Sequence, residues 1–545
     1  ASYDLKLNEV HNFRFELGQS VHYDTYKYNY AFAYKGTNDY IKLNLLNSNP
    51  AMGGDGSEPE DYLYPLSFPK SLTFKYLDKT KNNMLSFFGK TAYNFNNKYT
   101  LSFLLRADAS TNAQPTNRWF VSPAVSASWN IKNDLLTSNS NINELSLRVS
   151  AGRLGRAEYY DNFAQGPQYT TELGYTGNLL SPGYNAFAVL TRPYNYGWVG
   201  YGVPWSYTDQ LNVGADVAVL NNRLRMSLDF YTKTDKNQLL AIPDYAEYGY
   251  TQSYESGLSV NNKGIDLTLL GDVISNDRFK WTPSLNLNYN VNKLVALPRG
   301  LNEIAIGDRL LKVGQAIDQY WLYTNDGMYN TNEEVPVVGG VVKKFNGITL
   351  GAGDPNWRDL NNDNAIDDND KTLRGHALPV VAGSFNNDFK YGKWTLGLQL
   401  YFNLGREVIN QEMANHFNFI NQESGNTINS VKEITFWEKR GDFSKYPLYN
   451  PWSPVIPYRV DQDLFLEKAS FLKLRTVSLG YELTDVINKK RLKLSRLYIY
   501  GTANNLFTIT PYTGQDPELV NYTGYDRGFG MPYATTFTLG VKMDL

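Results

Sequence analysis

An alternation of apolar and polar residues, sustained over ten residues or more and repeated along the chain, restricts this sequence more than any other feature. From Trp394, the even positions Leu396, Leu398, Leu400, Phe402 and Leu404 are apolar, with Thr395, Gly397, Gln399, Tyr401 and Asn403 between them. From Phe279, the residues Trp281, Leu285, Leu287, Tyr289 and Val291 alternate with Lys280, Thr282, Ser284, Asn286, Asn288 and Asn290. Leu224, Met226, Leu228 and Phe230 alternate with Arg223, Arg225, Ser227 and Asp229, and the chain closes on Phe537, Leu539, Val541, Met543 and Leu545. Successive side chains of a strand point to opposite faces, so each segment reads as a strand with one apolar and one polar face. Strand length then separates the solvents. Strands of soluble sandwiches run about 5–6 residues, whereas tilted membrane strands need roughly 9–11.

The connections point the same way. Asn96-Asn97-Lys98, Asn221-Asn222 and Tyr391-Gly392-Lys393 read as tight turns, while 31–83, 154–210, 298–379 and 406–470 are long. Short turns on one side and long loops on the other describe an outer-membrane barrel, and loops this long count against a soluble domain. Strands are expected at 1–7, 12–28, 84–95, 98–109, 118–130, 145–153, 211–220, 223–237, 261–272, 279–296, 380–390, 394–405, 471–484, 495–510 and 535–545. If the last strand ends at the periplasmic side, every long loop falls outside the cell. The fold class is thus all-β, a transmembrane antiparallel β-barrel with long extracellular loops. Fifteen is an odd number, which does not close an ordinary bacterial barrel, so the chain reads as part of one.

Composition removes other classes. Lys+Arg 52 against Asp+Glu 54 leaves no basic excess for a nucleic-acid partner. With Cys 0 there is no disulfide framework, thiol catalysis or thiolate metal site. Mean hydropathy is −0.44, and no stretch approaches the ~20 apolar residues of a spanning helix. The start at Ala1-Ser2-Tyr3 carries no signal peptide and reads as that of a mature, processed or truncated chain.

Several collinear motifs carry a family resemblance. Phe471-Leu-Lys-Leu-Arg-Thr-Val-Ser-Leu-Gly-Tyr481, the run Tyr498 to Thr508, and Tyr512-Thr-Gly-Gln-Asp-Pro-Glu518 resemble the C-terminal region of SusC/RagA-type TonB-dependent outer-membrane transporters. Asp229 to Leu240, Asn262 to Leu267, Arg106 to Thr111, Val313-Gly-Gln-Ala and Thr324 to Tyr329 fit in the same order. The resemblance implies a barrel of about 22 strands with a plug in its lumen. It also implies import of oligosaccharides or peptides driven by TonB, a SusD-like surface lipoprotein as lid, and residence among the lipids of the bacterial outer membrane. Neither plug nor TonB-contacting segment is visible in 1–545, so the chain is expected to be the C-terminal barrel portion. The plug and first strands are then cleaved off, unresolved or supplied as a separate chain, with Ala1 at an extracellular loop. A non-transporting barrel scaffold is the alternative.

One motif suggests a metal. Asp359, Asn361, Asp363, Ala365 (through its carbonyl), Asp367 and Asp370 have the spacing of a 12-residue EF-hand-type loop for structural Ca²⁺, with Ile366 pinning the loop inward. Asn364 stands where Gly is usual and Asp370 where a bidentate Glu is usual. The histidines His11, His22, His376 and His416 specify no catalytic constellation, and no enzyme activity is expected. Trp119, Trp129, Trp281 and Trp394 read as membrane-interface anchors, and Trp198, Trp205, Trp321, Trp357 and Trp452 as loop residues that pack or touch substrate.

Overall fold

A computed structural model describes the chain apart from residues 9, 35–71, 139–140, 157–165, 168–169, 173–188, 192–197, 249–251, 418–435, 443–445, 449–452, 485–495 and 545. Fifteen long strands pair in chain order into one antiparallel meander. They are β1 (Ser2–Leu7), β2 (His11–Tyr34), β3 (Leu72–Phe95), β4 (Tyr99–Ser110), β5 (Trp119–Asn130), β6 (Ile142–Arg156), β7 (Ser206–Val219) and β8 (Leu224–Pro243). There follow β9 (Gln252–Gly271), β10 (Phe279–Ala296), β11 (Val381–Tyr391), β12 (Trp394–Leu404), β13 (Phe471–Glu482), β14 (Arg496–Ile509) and β15 (Thr536–Asp544).

The expected strands are all present, and β10 has the expected bounds. Differences lie at the outer ends. β2 and β3 continue as a ladder from His11↔Phe95 to Tyr34↔Leu72, so the connection expected at 31–83 is shorter. β8 and β9 likewise run on to Pro243 and from Gln252. Ala1 is not at a loop: its ammonium donates to the Leu17 carbonyl at 2.7 Å and its carbonyl accepts from Leu17 N, part-way along β2.

The short turns are built for reversal. Asn96 and Asn97 (φ 47° and 53°), Leu220, Asn221 and Asn222 (56°, 57° and 62°) and Gly392 (56°) all take left-handed backbone, which Asn and Gly adopt at least cost. One face of the sheet is apolar and uncovered. Leu101, Phe103 and Leu105 of β4 are about half exposed, as are Val213 and Phe230, and Leu539 of β15 is 82% exposed. The hydrophobic cores lie elsewhere, in the long connections at the outer ends. A water-soluble sheet would bury that apolar face; this one turns it toward a solvent that accepts it.

Aromatic rings line the short-turn rim. Tyr99 stacks on Trp129, Trp281 on Phe389, and Trp394 lies 4.7 Å from Tyr481. Trp119 sits half exposed at the opposite end of β5. Such a belt is where amphipathic rings meet lipid headgroups.

Candidate functional site

The polar face is a continuous hydrogen-bonded wall. Arg148 of β6 donates to Asp216 of β7 (Nε to Oδ2, 2.6 Å; Nη2 to Oδ1, 3.1 Å) and to Asp229 of β8 (3.1 Å). Ser227 donates to Asp216 at 2.8 Å. Further round, Asn288 donates to Asp266 at 2.5 Å and to the Tyr231 hydroxyl at 3.3 Å, while Tyr231 donates to Asn290. Glycine makes room for these side chains. A Cβ at Gly264 would lie 2.3 Å from the Tyr231 hydroxyl and 2.4 Å from the Tyr289 carbonyl oxygen. Backbone cannot step aside as a flexible side chain does, so Gly264→Ala is expected to cost about 1–3 kcal/mol. A lower temperature for loss of the compact band in heat-modifiability gels would register it.

At the outer end the long connections fold into a cap. One cluster packs Tyr320, Leu322, Ile409, Tyr458, Phe465 and Tyr525, and a second packs Tyr323, Phe345, Trp357, Ile366 and Val455. Gln462, fully buried, joins segments distant in sequence. Its Oε1 accepts from Trp357 Nε1 and Asn325 Nδ2 (both 2.9 Å), and its Nε2 donates to the Pro457 carbonyl at 2.7 Å.

The cap is held to the wall by charge. Lys473, with a side chain 2% exposed, bonds Asp516 (3.0 Å) and Glu518, and Arg475 bonds Glu518 as well. A bulge at Arg475 aligns this end of β13. Below it Thr476 and Ser478 face the polar side; above it Lys473 does, opposite Tyr401. Nearby, Arg406 donates to the Pro517 and Ala377 carbonyls, and Tyr512 donates to Asp526 at 2.6 Å.

The acidic loop follows the expected spacing but spends its oxygens internally. Asp359 accepts from Asn362 N (2.6 Å) and Asn364 N (2.9 Å), and Asp363 accepts from Ala365 N and Asn361 Nδ2 (both 2.8 Å). Asp367 accepts from Asn369 N (2.8 Å), and buried Asp370 from Leu360 N (2.7 Å) and Asp367 N (2.9 Å). Asn364 has φ 66°, the left-handed backbone that Gly supplies elsewhere, and Ile366 is fully buried. Among the described residues no three acidic or histidine side chains converge as a metal cage. A cation of the protein stands close by: the buried Lys343 ammonium donates to the Trp357 carbonyl at 2.7 Å. Burial pushes its pKa down, and the charges of Asp359 and Asp370 pull it back up.

The chain matches the model of the family described as TonB dependent receptor-like, beta-barrel over residues 1–313. The chain belongs to this family. It is located in the outer membrane. TonB-dependent receptor P3 of Formosa agariphila is 26% identical over 498 residues, 86% of this chain and 46% of that protein. TonB-dependent receptor SusC of Bacteroides thetaiotaomicron is 24% identical, over 85% of this chain and 44% of that protein. The RagAB peptide transporter structure has the same fold, at a TM-score of 0.74 and 20% identity over 99% of this chain and 54% of that one. The chain thus spans about half the length of the curated relatives it matches.

As a TonB-dependent receptor barrel, the molecule turns its apolar face to lipid and its Arg148 wall to the lumen. The loop tryptophans are mostly structural: Trp205, Trp321 and Trp357 are buried. Trp452 and the side chain of His416 lie outside the described residues. His11 Nδ1 sits 2.8 Å from the Tyr93 hydroxyl, His22 pairs with Asp24, and His376 Nδ1 lies 3.5 Å from Asp318. Sequence reasoning missed the Lys473–Asp516–Glu518 cluster and Gln462. The first had a signal, because both of its segments are family motifs; the second had none.

Proposed function

We propose that the barrel belongs to a TonB-dependent importer of oligosaccharides or peptides, a transporter and not an enzyme, lidded by a SusD-like surface lipoprotein. The observation that carries this reading is the family match over residues 1–313. Supporting it, the lumenal wall is polar, and the cap stands at the outer end, where a substrate and a lid would first meet the receptor. The plug and TonB-contacting segment that import requires are taken from the part of the relatives' length outside these 545 residues. Cells carrying the whole receptor should take up fluorescent oligosaccharides or oligopeptides, and loss of either the receptor or TonB should abolish the uptake. Uptake independent of both would sink the reading. For the lid, cross-linking should find partner contacts on the outer loops; contacts confined to the short-turn rim would overturn it.

A second proposal concerns the acidic loop. We infer that Asp359, Asn361, Asp363, Ala365, Asp367 and Asp370 take up Ca²⁺, exchanging amide hydrogen bonds for the ion. The all-oxygen donor set and the left-handed Asn364 support this. The role is structural, ordering the cap between Trp357 and β11. Millimolar Ca²⁺ should slow protease cleavage in the cap severalfold, with half-effect near 10⁻⁴–10⁻³ M, roughly the range of extracellular sites. Asp359→Ala/Asp363→Ala should remove the effect. Identical digestion with Ca²⁺ and with chelator would leave the loop an amide-bonded turn.

A further inference from the structure

The lipid-facing side changes character above the apolar belt. In the belt, cross-strand neighbours on β6 to β10 are Val149, Val213, Phe230, Ile265 and Tyr289. The next row toward the outside is Ala151, Leu211, Thr232, Lys263 and Val291, and the one above it Arg153, Asp209, Thr234, Asn261 and Lys293. Lys236 follows on β8, opposite Tyr207. These positions keep the parity of the apolar residues below them, so they face the bilayer and not the lumen. Asn261 Nδ2 donates to both Thr232 Oγ1 (3.0 Å) and Thr234 Oγ1 (2.8 Å), which places the three on one side.

The patch is cationic. Arg153 holds Asp209 through two bonds (2.7 and 3.0 Å) and lies 4.2 Å above the Tyr207 ring; Lys236 reaches the same carboxylate at 3.1 Å. Lys263 and Lys293 have no ion-pair partner among the described residues. Four cations against the Asp209 carboxylate leave a net charge of +3 (4 − 1). Lysines keep this parity on β2 and β3 as well, where Lys81 and Lys27 lie above Leu85 and Val21. The corresponding outer ends of β12 to β14 instead expose Leu404, Phe507 and Ile509.

Beside the charge lies a place for hydrocarbon. Small residues Pro123, Ala151 and Gly152 form an open groove of about 600 Å³, walled by Phe103, Val125 and Leu211 and ending at Arg153 and Asp209. A groove lined by apolar side chains and closed by cations, set at the outer leaflet, complements an amphiphile with anionic head and acyl tail.

We propose that this flank binds a phosphorylated glycolipid of the outer leaflet, its phosphates on Arg153, Lys236, Lys263 and Lys293 and an acyl chain in the groove. The site is separate from the lumen and its function is independent of which nutrient passes through it. Fixing a lipid here would anchor β6 to β10 at a set depth.

The test is native mass spectrometry of the detergent-purified whole receptor titrated with hexa-acylated bisphosphoryl lipid A. Arg153→Gln/Lys236→Gln/Lys263→Gln/Lys293→Gln should weaken binding by about 600-fold, each of the four units of charge contributing a factor of roughly five. Dephosphorylated lipid A should bind wild type as weakly as the variant binds the intact lipid. Lys233→Gln, on the lumenal face of β8, should leave binding unchanged. Should the fourfold variant fail to assemble, Lys263→Gln/Lys293→Gln removes no ion pair and should still lose about tenfold or more. Equal binding by wild type and a heat-modifiable variant would overturn the proposal. So would competition by inorganic pyrophosphate at the same concentrations as the lipid, which would mark a site for free phosphate.

Discussion

Lys473→Met is expected to release the segment 510–535 from the barrel wall, at a cost of about 3–5 kcal/mol. The wild-type cluster is neutral: Lys473 and Arg475 face Asp516 and Glu518, all mostly buried. Methionine keeps the volume and the aliphatic stem but leaves two carboxylates sharing one guanidinium away from water. An uncompensated buried charge costs far more than the intact pair contributed. The loss should be local, because β13 and β14 keep their ladder and only the loop following β14 loses its tie. Limited proteolysis should therefore cut near 510–535 much faster, while the barrel keeps its compact band in heat-modifiability gels. Adding Asp516→Leu should recover part of the loss by removing one orphaned carboxylate. Wild-type cleavage rates in Lys473→Met would mean that the cap is held by its hydrophobic clusters alone.

That cluster also shows what was legible in the sequence. Both of its halves belong to motifs that carried the resemblance, yet Lys473 and Asp516 are 43 residues apart and meet only because β13 and β14 form a hairpin. The bulge at Arg475 is itself in the letters: apolar residues sit at Leu472 and Leu474, then at Val477, Leu479 and Tyr481, a change of parity. The membrane belt was readable because lipid on one side and water on the other impose opposite chemistry on alternate residues. At the outer ends of β8 and β9, Leu240, Leu258 and Val260 pack on cap residues such as Ile304 and Leu311 instead of on lipid, so the alternation fades there and the letters read as loop. The cap was unreadable for a related reason. Its short strands pair across long separations, as Tyr320 to Tyr323 does with Lys371 to Arg374, and no local period marks them. The loop at 359–370 divides differently: spacing identified its oxygens, but which of them the backbone amides occupy depends on the fold.

Parity along a single strand gives the second large effect. Leu267 and Thr268 are neighbours on β9, one facing lipid and the other the lumen. Leu267 lies between Leu228 and Leu287 in the middle of the apolar belt, while Thr268 donates to Asn286 Oδ1 at 3.1 Å on the polar wall. Leu267→Arg should cost roughly 2–4 kcal/mol, because a guanidinium near the bilayer midplane must be dehydrated or drag water and headgroups inward. Thr268→Arg places the same charge one residue away, among Asn286, Asn288 and Asp266, where water and acceptors are at hand. Its cost should stay within about 0.5 kcal/mol, as for an ordinary solvated substitution. Urea titration of the two variants folded into lipid vesicles would compare them at constant chemistry. A barrel wall requires the asymmetry, since only the side of the strand differs. Equal costs would mean that both faces of β9 meet the same solvent, and the assignment of lipid and lumen to the two faces of the sheet would fall with them.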